Sequence, residues 1–294
     1  MNKTASVLAL SFIFGCLAIA PAQDQPQSGH KPPKILVITR EFVKPGRTGA
    51  VHEKTEAAFV QAFASQKWAT HYLALDSLSG KPRSLFLTGY PSFEAMEKDA
   101  RAVQKNAVLS ASLDKAGFND GDLLAGIDGG TFAYREDLSL HFGEGADIPH
   151  MRYFEISRYK IKPGHDKDWE QLVKLVMGAY DKVPDVQWAC YEVVYGNQGD
   201  GTFLFFTPRK SAAEVDKAFA QGKDFEKAMG EDGMKQLREL SASTIQESEN
   251  NLFMFNPRMS YVEDSWVKAD PEFWTIKAAG SAPKKKGDAE AAKK

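Results

Sequence analysis

Cysteine is scarce in this chain: Cys16 and Cys190 are the only two among 294 residues. Cys16 falls inside an apparent export leader, so one thiol is left and no intramolecular disulfide can form. The residues around Cys16 make a poor lipoprotein box, because Phe14 is bulky and the residues after the cysteine are apolar. Cys190 lies in an apolar strand pattern and reads as a small buried residue rather than a nucleophile. An excess of either charge is also missing, with 37 basic against 39 acidic residues and a net charge of −2. That balance argues against nucleic acid as a partner. Beyond the leader no stretch reaches the roughly 18 apolar residues of a membrane span, so the chain is not expected to be membrane-embedded. A Gly-rich phosphate loop, a nucleophile elbow and an HExxH helix are all absent. Nucleotide-binding, serine-hydrolase and zinc-protease readings therefore lose their usual support.

What is present begins with that leader. Lys3 supplies a positive start, Val7 to Ala20 an apolar core, and Ala20-Pro-Ala22 a small-residue cleavage site, so residues 1–22 read as a signal peptide. The expected mature protein is periplasmic or secreted. Residues 23–33 are polar and Pro-rich and are expected to be disordered. A first unit is expected over 34–142, a Gly/Asp/Pro linker over 143–150 and a second unit over 151–262. Trp266, Phe273 and Trp274 suggest that 263–277 packs back onto a domain, and 278–294 reads as a disordered lysine-rich tail.

The two units open on a repeated stretch. Val37-Ile-Thr-Arg-Glu-Phe-Val-Lys-Pro-Gly46 returns 118 positions later as Glu155-Ile-Ser-Arg-Tyr-Lys-Ile-Lys-Pro-Gly164, which pairs Arg40 with Arg158. In each copy a strand-like run ends at proline, which lacks a ladder donor, and glycine permits the reversal that follows. A helical pattern comes next. Trp169, Leu172, Val173, Val176 and Tyr180 form one stripe; Val51, Ala58, Phe59, Ala62 and Phe63 are read as the other. Asp166 and Thr48 are candidate caps. Two further strand-like runs, a second helical stretch and a closing strand complete each unit. The fold class expected is α+β: two tandem β-α-β-β-α-β units, for which duplication is the simplest account.

A β-α-β-β-α-β unit is ferredoxin-like, and with a first strand ending in Lys-Pro-Gly it resembles the dimeric α+β barrel superfamily. That group includes antibiotic-biosynthesis-type monooxygenases, NIPSNAP-type and EthD-type proteins and haem-handling relatives. Glu155, Ile156, Tyr159, Lys162, Pro163 and Gly164 match the NIPSNAP-type opening. The usual arginine position is taken by Ser157, with Arg158 one residue later and so on the other sheet face. The first copy departs further, with Val37 and Glu41 in place of the Glu and Tyr. The resemblance implies two sheets packed as a barrel around an internal cavity, either as a pseudo-dimer within one chain or in a homodimer.

The candidate chemistry follows from strand alternation. Glu155, Ser157 and Tyr159 share one face, and Phe154 and Ile156 share the other. If the apolar face packs on the helices, the polar face looks into the barrel. There Glu155 and Tyr159 could do acid–base work, or hydrogen-bond each other and hold the halves together. Arg40 and Arg158 could bind a carboxylate-bearing ligand, or pair with acids of the neighbouring unit. Trp188, Tyr191, Glu192 and the Phe203–Phe206 run could line an apolar ligand pocket. His71 is the histidine best placed for haem ligation or proton transfer. His52 and Glu56, four apart on a helix, show no third ligand and read as a solvated face; His141, Glu144 and His150 make a loosely spaced zinc candidate. The reading that results is a small apolar or aromatic ligand held in a barrel cavity, with no metal and no cofactor. A cofactor-independent monooxygenase-like or isomerase-like enzyme using Glu155 and Tyr159 is the alternative, and haem on His71 the third.

Overall fold

A computed structural model describes residues 31–142 and 146–275. The stretch read as a signal peptide, most of the lead-in, Glu144 and the lysine-rich tail lie outside the described residues. The first part of the chain runs β1 (Ile35–Val43), α1 (Ala50–Ser65), β2 (Tyr72–Ser77), β3 (Arg83–Tyr90), α2 (Phe93–Lys105), α3 (Ala107–Gly121) and β4 (Leu124–Tyr134). The second runs β5 (Tyr153–Ile161), α4 (Asp166–Tyr180), β6 (Ala189–Gly196), β7 (Thr202–Arg209), α5 (Ala213–Thr244) and β8 (Ile245–Phe255). Two short helices, α6 (Asp264–Ala269) and α7 (Pro271–Trp274), follow. No helix among the described residues is long and apolar enough to cross a membrane.

The repeated stretch behaves as its residues dictate. β1 and β5 stop just before Lys-Pro-Gly, and Gly46 and Gly164 turn the chain with φ of 77° and 83°, values that cost other residues strain. The helix after each turn starts without the expected caps. Gly49 precedes α1 and His165 precedes α4, and neither side chain caps. Within α5, Gly230 leaves helical geometry at φ 70° and ψ 174° and kinks the helix.

The eight strands form one closed antiparallel barrel in the order β1-β3-β2-β8-β5-β7-β6-β4. Two seams join the parts. β2 meets β8 over Leu75–Phe255, Asp76–Met254 and Ser77–Phe253, and β4 meets β6 from Gly130–Gly196 to Tyr134–Tyr191. Strand alternation sends one set of side chains inward; Leu36 and Ile38, Phe154 and Ile156, Leu204 and Phe206 belong to a single buried cluster fed by all eight strands. Each such side chain contributes about 1.5–3 kcal/mol by leaving water. Phe142, Ile148 and Trp274 join that cluster from outside the strands, and the Trp274 indole N–H donates to the Pro149 carbonyl.

This packing reverses the expected facing of β5. Phe154 and Ile156 point into the barrel, while Glu155, Ser157 and Tyr159 point outward, beneath α4 and α5. The physical reason is closure. An inward face meets the inward faces of the other strands and must be continuously apolar, whereas the outer face meets helices that bring polar groups of their own. The catalytic pair expected inside the barrel therefore lies on its outer wall.

The β4–β6 seam depends on missing side chains. Gly196 has φ +134°, and a Cβ there would stand 2.6 Å from the Gly129 carbonyl oxygen and from the Gly130 Cα. Gly196→Ala is expected to destabilise the protein by about 1–3 kcal/mol, because strained backbone and a backbone clash coincide. Gly178→Ala, at an exposed helix position with nothing within 4 Å, should be neutral or stabilising by up to ~1 kcal/mol. Urea unfolding of both variants checks this; equal midpoints would contradict it.

Candidate functional site

The expected site residues divide between an outer cavity and the barrel ends, and a third place gathers other groups. The first is a cavity of about 360 Å³ between the outer face of the second part's strands and helices α4 and α5. It gathers Glu155, Ser157, Tyr159 and Trp188 with Trp169 and Arg209. α4 puts Trp169 here because its buried stripe is the one its sequence spacing describes, Trp169, Leu172 and Val173. The wall is aromatic. Trp169 lies 5.3 Å from the Tyr159 ring and 5.9 Å from the Phe205 ring, and Tyr180 packs edge-on to Trp188 at 5.7 Å. Such pairs add about 0.5–1.5 kcal/mol each beyond area burial. Burial is the main cause that pushes the Tyr159 phenol above its usual value.

Glu155 does not bond to Tyr159. It accepts from Arg209 at 3.0 Å and from the Asn250 amide at 2.8 Å, and Ser157 donates to that Asn250 at 3.2 Å. Two donors of the wall, Arg209 Nε and the Trp169 indole N–H, are buried without a hydrogen-bond partner among the described residues.

The second place is one end of the barrel. Arg40 and Arg158 line a pocket of about 50 Å³ there, together with Arg83. Both expected arginines are engaged. Arg40 grips Asp128 with two bonds of 2.6 and 2.7 Å, and Arg158 reaches Glu247 at 3.0 Å and Glu249 at 3.3 Å. These acids come from β4 and β8, so each arginine pairs within its own part of the chain, not with the neighbouring one as expected. Glu192 is likewise an ion-pair partner, 2.6 Å from Arg135. Tyr191 points into the barrel and donates to the Pro33 carbonyl at 3.1 Å. It also lines a larger, mostly apolar cavity of about 470 Å³ at the opposite end of the barrel, which His71, Tyr90 and Trp266 border. His71 stacks on Tyr261 at 4.7 Å. Cys190 is fully buried, and burial drives its thiol pKa well up.

The third place was missed by sequence reasoning. His52 and Glu56 do not face solvent; they are 2% and 3% exposed, while Val51, assigned to the buried stripe, is 44% exposed. α1 turns them against the outer face of β1, where Glu41 stands, and α3 brings Asp120. His52 Nε2 lies 3.1 Å from Glu41, 3.5 Å from Asp120 and 4.0 Å from Glu56. The other imidazole nitrogen, Nδ1, is 3.4 Å from the Ser84 hydroxyl, which donates to Asp76 at 2.6 Å. Thr55 donates to Asp120 at 2.6 Å. A usable signal was present: Glu41 occupies the register position that Tyr159 holds in the second copy. The zinc candidate is not assembled among the described residues, since His141 pairs with Asp181 and His150 with Asp147.

The electrostatics of this cluster have one direction. Burial first, then the charges of Glu41, Asp120 and Asp76, push the Glu56 carboxyl up to about 9. Burial opposes protonation of His52, but its hydrogen bond to Glu41 and the nearby carboxylates outweigh burial and raise it above its usual value. In the unfolded chain Glu56 would release its proton near its ordinary value of about 4.5. Between that value and about 9 the folded state therefore holds the extra proton, and stability falls as pH rises. His52 adds in the same direction above its unfolded value. Metal-free protein, held in chelator, is expected to show a lower urea midpoint at pH 8.5 than at pH 5.5, and Glu56→Gln to flatten that slope. A midpoint that rises with pH equally in both proteins would contradict it.

Neither a protein-family model nor a curated protein matches the chain. Solved structures do resemble it. An anthrone oxidase-like protein aligns at 10% identity over 78% of this chain and 94% of its own, with a TM-score of 0.47. A protein of Fusobacterium nucleatum provisionally described as a monooxygenase aligns at 12% identity over 76% and 93%, TM-score 0.47. A mutant chlorite dismutase from Candidatus Nitrospira defluvii in complex with cyanide aligns at 10% over 80% and 95%, TM-score 0.43. At scores below 0.5 these likenesses do not bear on the chemistry of this chain.

Proposed function

We propose that the chain binds a small aromatic molecule carrying a hydrogen-bond acceptor in the cavity beneath α4 and α5. One observation carries this reading: an aromatic cavity of about 360 Å³ whose polar wall residues converge at Arg209 and Glu155. Ligand sites are commonly apolar clefts of this size with few polar groups to fix orientation. Arg209 spends one donor on Glu155 and leaves Nε without an acceptor. A carboxylate or phenolate on the ligand would meet a guanidinium built for it. The same ion pair argues against the monooxygenase-like or isomerase-like alternative, because both Glu155 oxygens are engaged, one by Arg209 and one by Asn250. The recurrence of strand–helix–strand–strand–helix–strand order supports reading the chain as tandem ferredoxin-like units. The NIPSNAP-like opening and export belong to the same proposal.

Titration with 1-naphthoate, read by quenching of tryptophan fluorescence, tests the site. Saturable binding is expected, weakened at least tenfold by Arg209→Met and blocked by Val173→Trp, which fills the cavity. Glu155→Gln should retain binding. Quenching that never saturates, or that is indifferent to Arg209→Met and Val173→Trp, would sink the reading.

A second reading rests on His71. It lines the apolar cavity of about 470 Å³ at the barrel end, and its ring nitrogens have no hydrogen-bond partner among the described residues. These residues fit a haem held through His71, with Lys31 at the same cavity available to a propionate. Haem would supply redox chemistry at its iron; the chain would supply the imidazole and an apolar wall. Reconstitution with haemin is expected to give a Soret band that His71→Ala abolishes, and an unchanged band would exclude this role.

A further inference from the structure

Buried charge needs a partner. Glu41, His52, Glu56 and Asp120 are all buried, and one ligand atom from each lies within 4.8 Å of the rest. Three of the four are carboxylates. Among the described residues none of them forms an ion pair with lysine or arginine, and His52 is the one basic group in the set. Carboxylates removed from water to this degree are found paired or bound to metal, since an uncompensated buried charge costs several kcal/mol. The arrangement also has a defect that protein atoms do not repair. Glu56 is 3% exposed, and its Oε1, the oxygen nearest His52, has no hydrogen-bond partner. The hydroxyl of Tyr72, which senses the charges of Glu56 and Glu41, is buried and unpartnered too.

The imidazole is held in the orientation a ligand needs. Nε2 faces the three carboxylates, and Nδ1 faces Ser84, whose own proton is committed to Asp76. With its hydrogen given away, Ser84 can only accept, so Nδ1 carries a hydrogen, and Nε2, which faces Glu41 at 3.1 Å, is the nitrogen whose proton a metal ion would displace. Thr55 fixes Asp120 by donating its hydroxyl hydrogen to it. Three elements supply the set: β1 one ligand, α1 two at i and i+4, and the more distant α3 the fourth.

We propose that Glu41, His52, Glu56 and Asp120 bind one divalent first-row transition-metal ion, of the harder, oxygen-preferring kind represented by Mn(II). Three oxygen donors and one imidazole suit such an ion better than a thiolate-seeking one. Metal–ligand distances near 2.0–2.2 Å require donor atoms about 3–4.4 Å apart, so the cluster needs to contract by only a few tenths of an ångström. Because the site has little exposure, exchange is expected to be slow and loading to accompany folding. It stands apart from the aromatic cavity of the second part and does not depend on that reading.

The experiment is refolding of the full chain in chelator-treated buffer with and without MnCl₂, followed by desalting, elemental analysis and thermal melts. One equivalent of manganese per chain and a raised melting temperature are expected. Glu56→Gln and His52→Gln, close in shape to the originals, should each weaken retention at least tenfold. X-ray absorption of the loaded wild-type chain needs no variant and is expected to show one imidazole in a shell otherwise of oxygen. Substoichiometric metal with no thermal shift, for both Mn(II) and Zn(II), would overturn the proposal. So would undiminished binding in both variants, or a shell containing sulfur or more than one imidazole.

Discussion

Closure of the barrel is the constraint on which everything else in this structure depends. With eight strands joined in a ring, every strand has two neighbours, and among the described residues no open edge is left for another chain to extend. The ring also fixes which side chains go in. Once the inward face of each strand is committed to a common apolar core, the remaining polar and aromatic strand residues have one destination, the space between the outer wall and the helices. Both candidate sites lie in that space, one on each part of the chain. The ends of the barrel are handled differently. One is ringed by arginines tied to acids of β4 and β8, and the other is bordered by residues from outside the strands, Trp266 among them.

Beneath the helices the two parts have diverged in content. At the register position where β1 carries Glu41, β5 carries Tyr159. The first leads to a cluster of acids and an imidazole, the second to a wall of rings. Burial acts on both in the same physical sense, disfavouring the charged form. In the first part it meets charged groups and produces an electrostatic imbalance. In the second it meets side chains already at ease in an apolar setting, with Glu155 and Arg209 offsetting each other.

Much of the fold was legible because its signals are local. Lys-Pro-Gly closes both opening strands as expected, the Trp169 stripe marks the buried face of α4, and the paired runs on either side of each central turn become β2–β3 and β6–β7. The facing of the strands was not legible. Alternation separates Glu155 from Ile156, but which set goes inward depends on whether the sheet closes, and closure is decided by residues far away. The acidic cluster was hidden for a related reason. His52 and Glu56 announce themselves as a pair, yet their partners Glu41 and Asp120 lie on another strand and another helix. The apolar stripe assigned to α1 also misled, since Val51 is half exposed while the polar pair is buried. Trp188 and Tyr191 were seen as one aromatic group, and adjacent strand geometry sends them to different cavities.

The two seams have unequal reach along the chain, and this bears on the order in which the ring assembles. The β4–β6 seam joins Gly130 to Gly196 within one stretch of chain, whereas the β2–β8 seam joins Leu75 to Phe255 and registers over three residue pairs. Loop-closure entropy grows with the logarithm of separation, so the longer loop, roughly three times the other, costs about 1 kcal/mol more to form. The short β2–β8 ladder is thus expected to zip last, and its amide protons to be among the first of the barrel to exchange with solvent. A closed ring of this kind has a designated clasp.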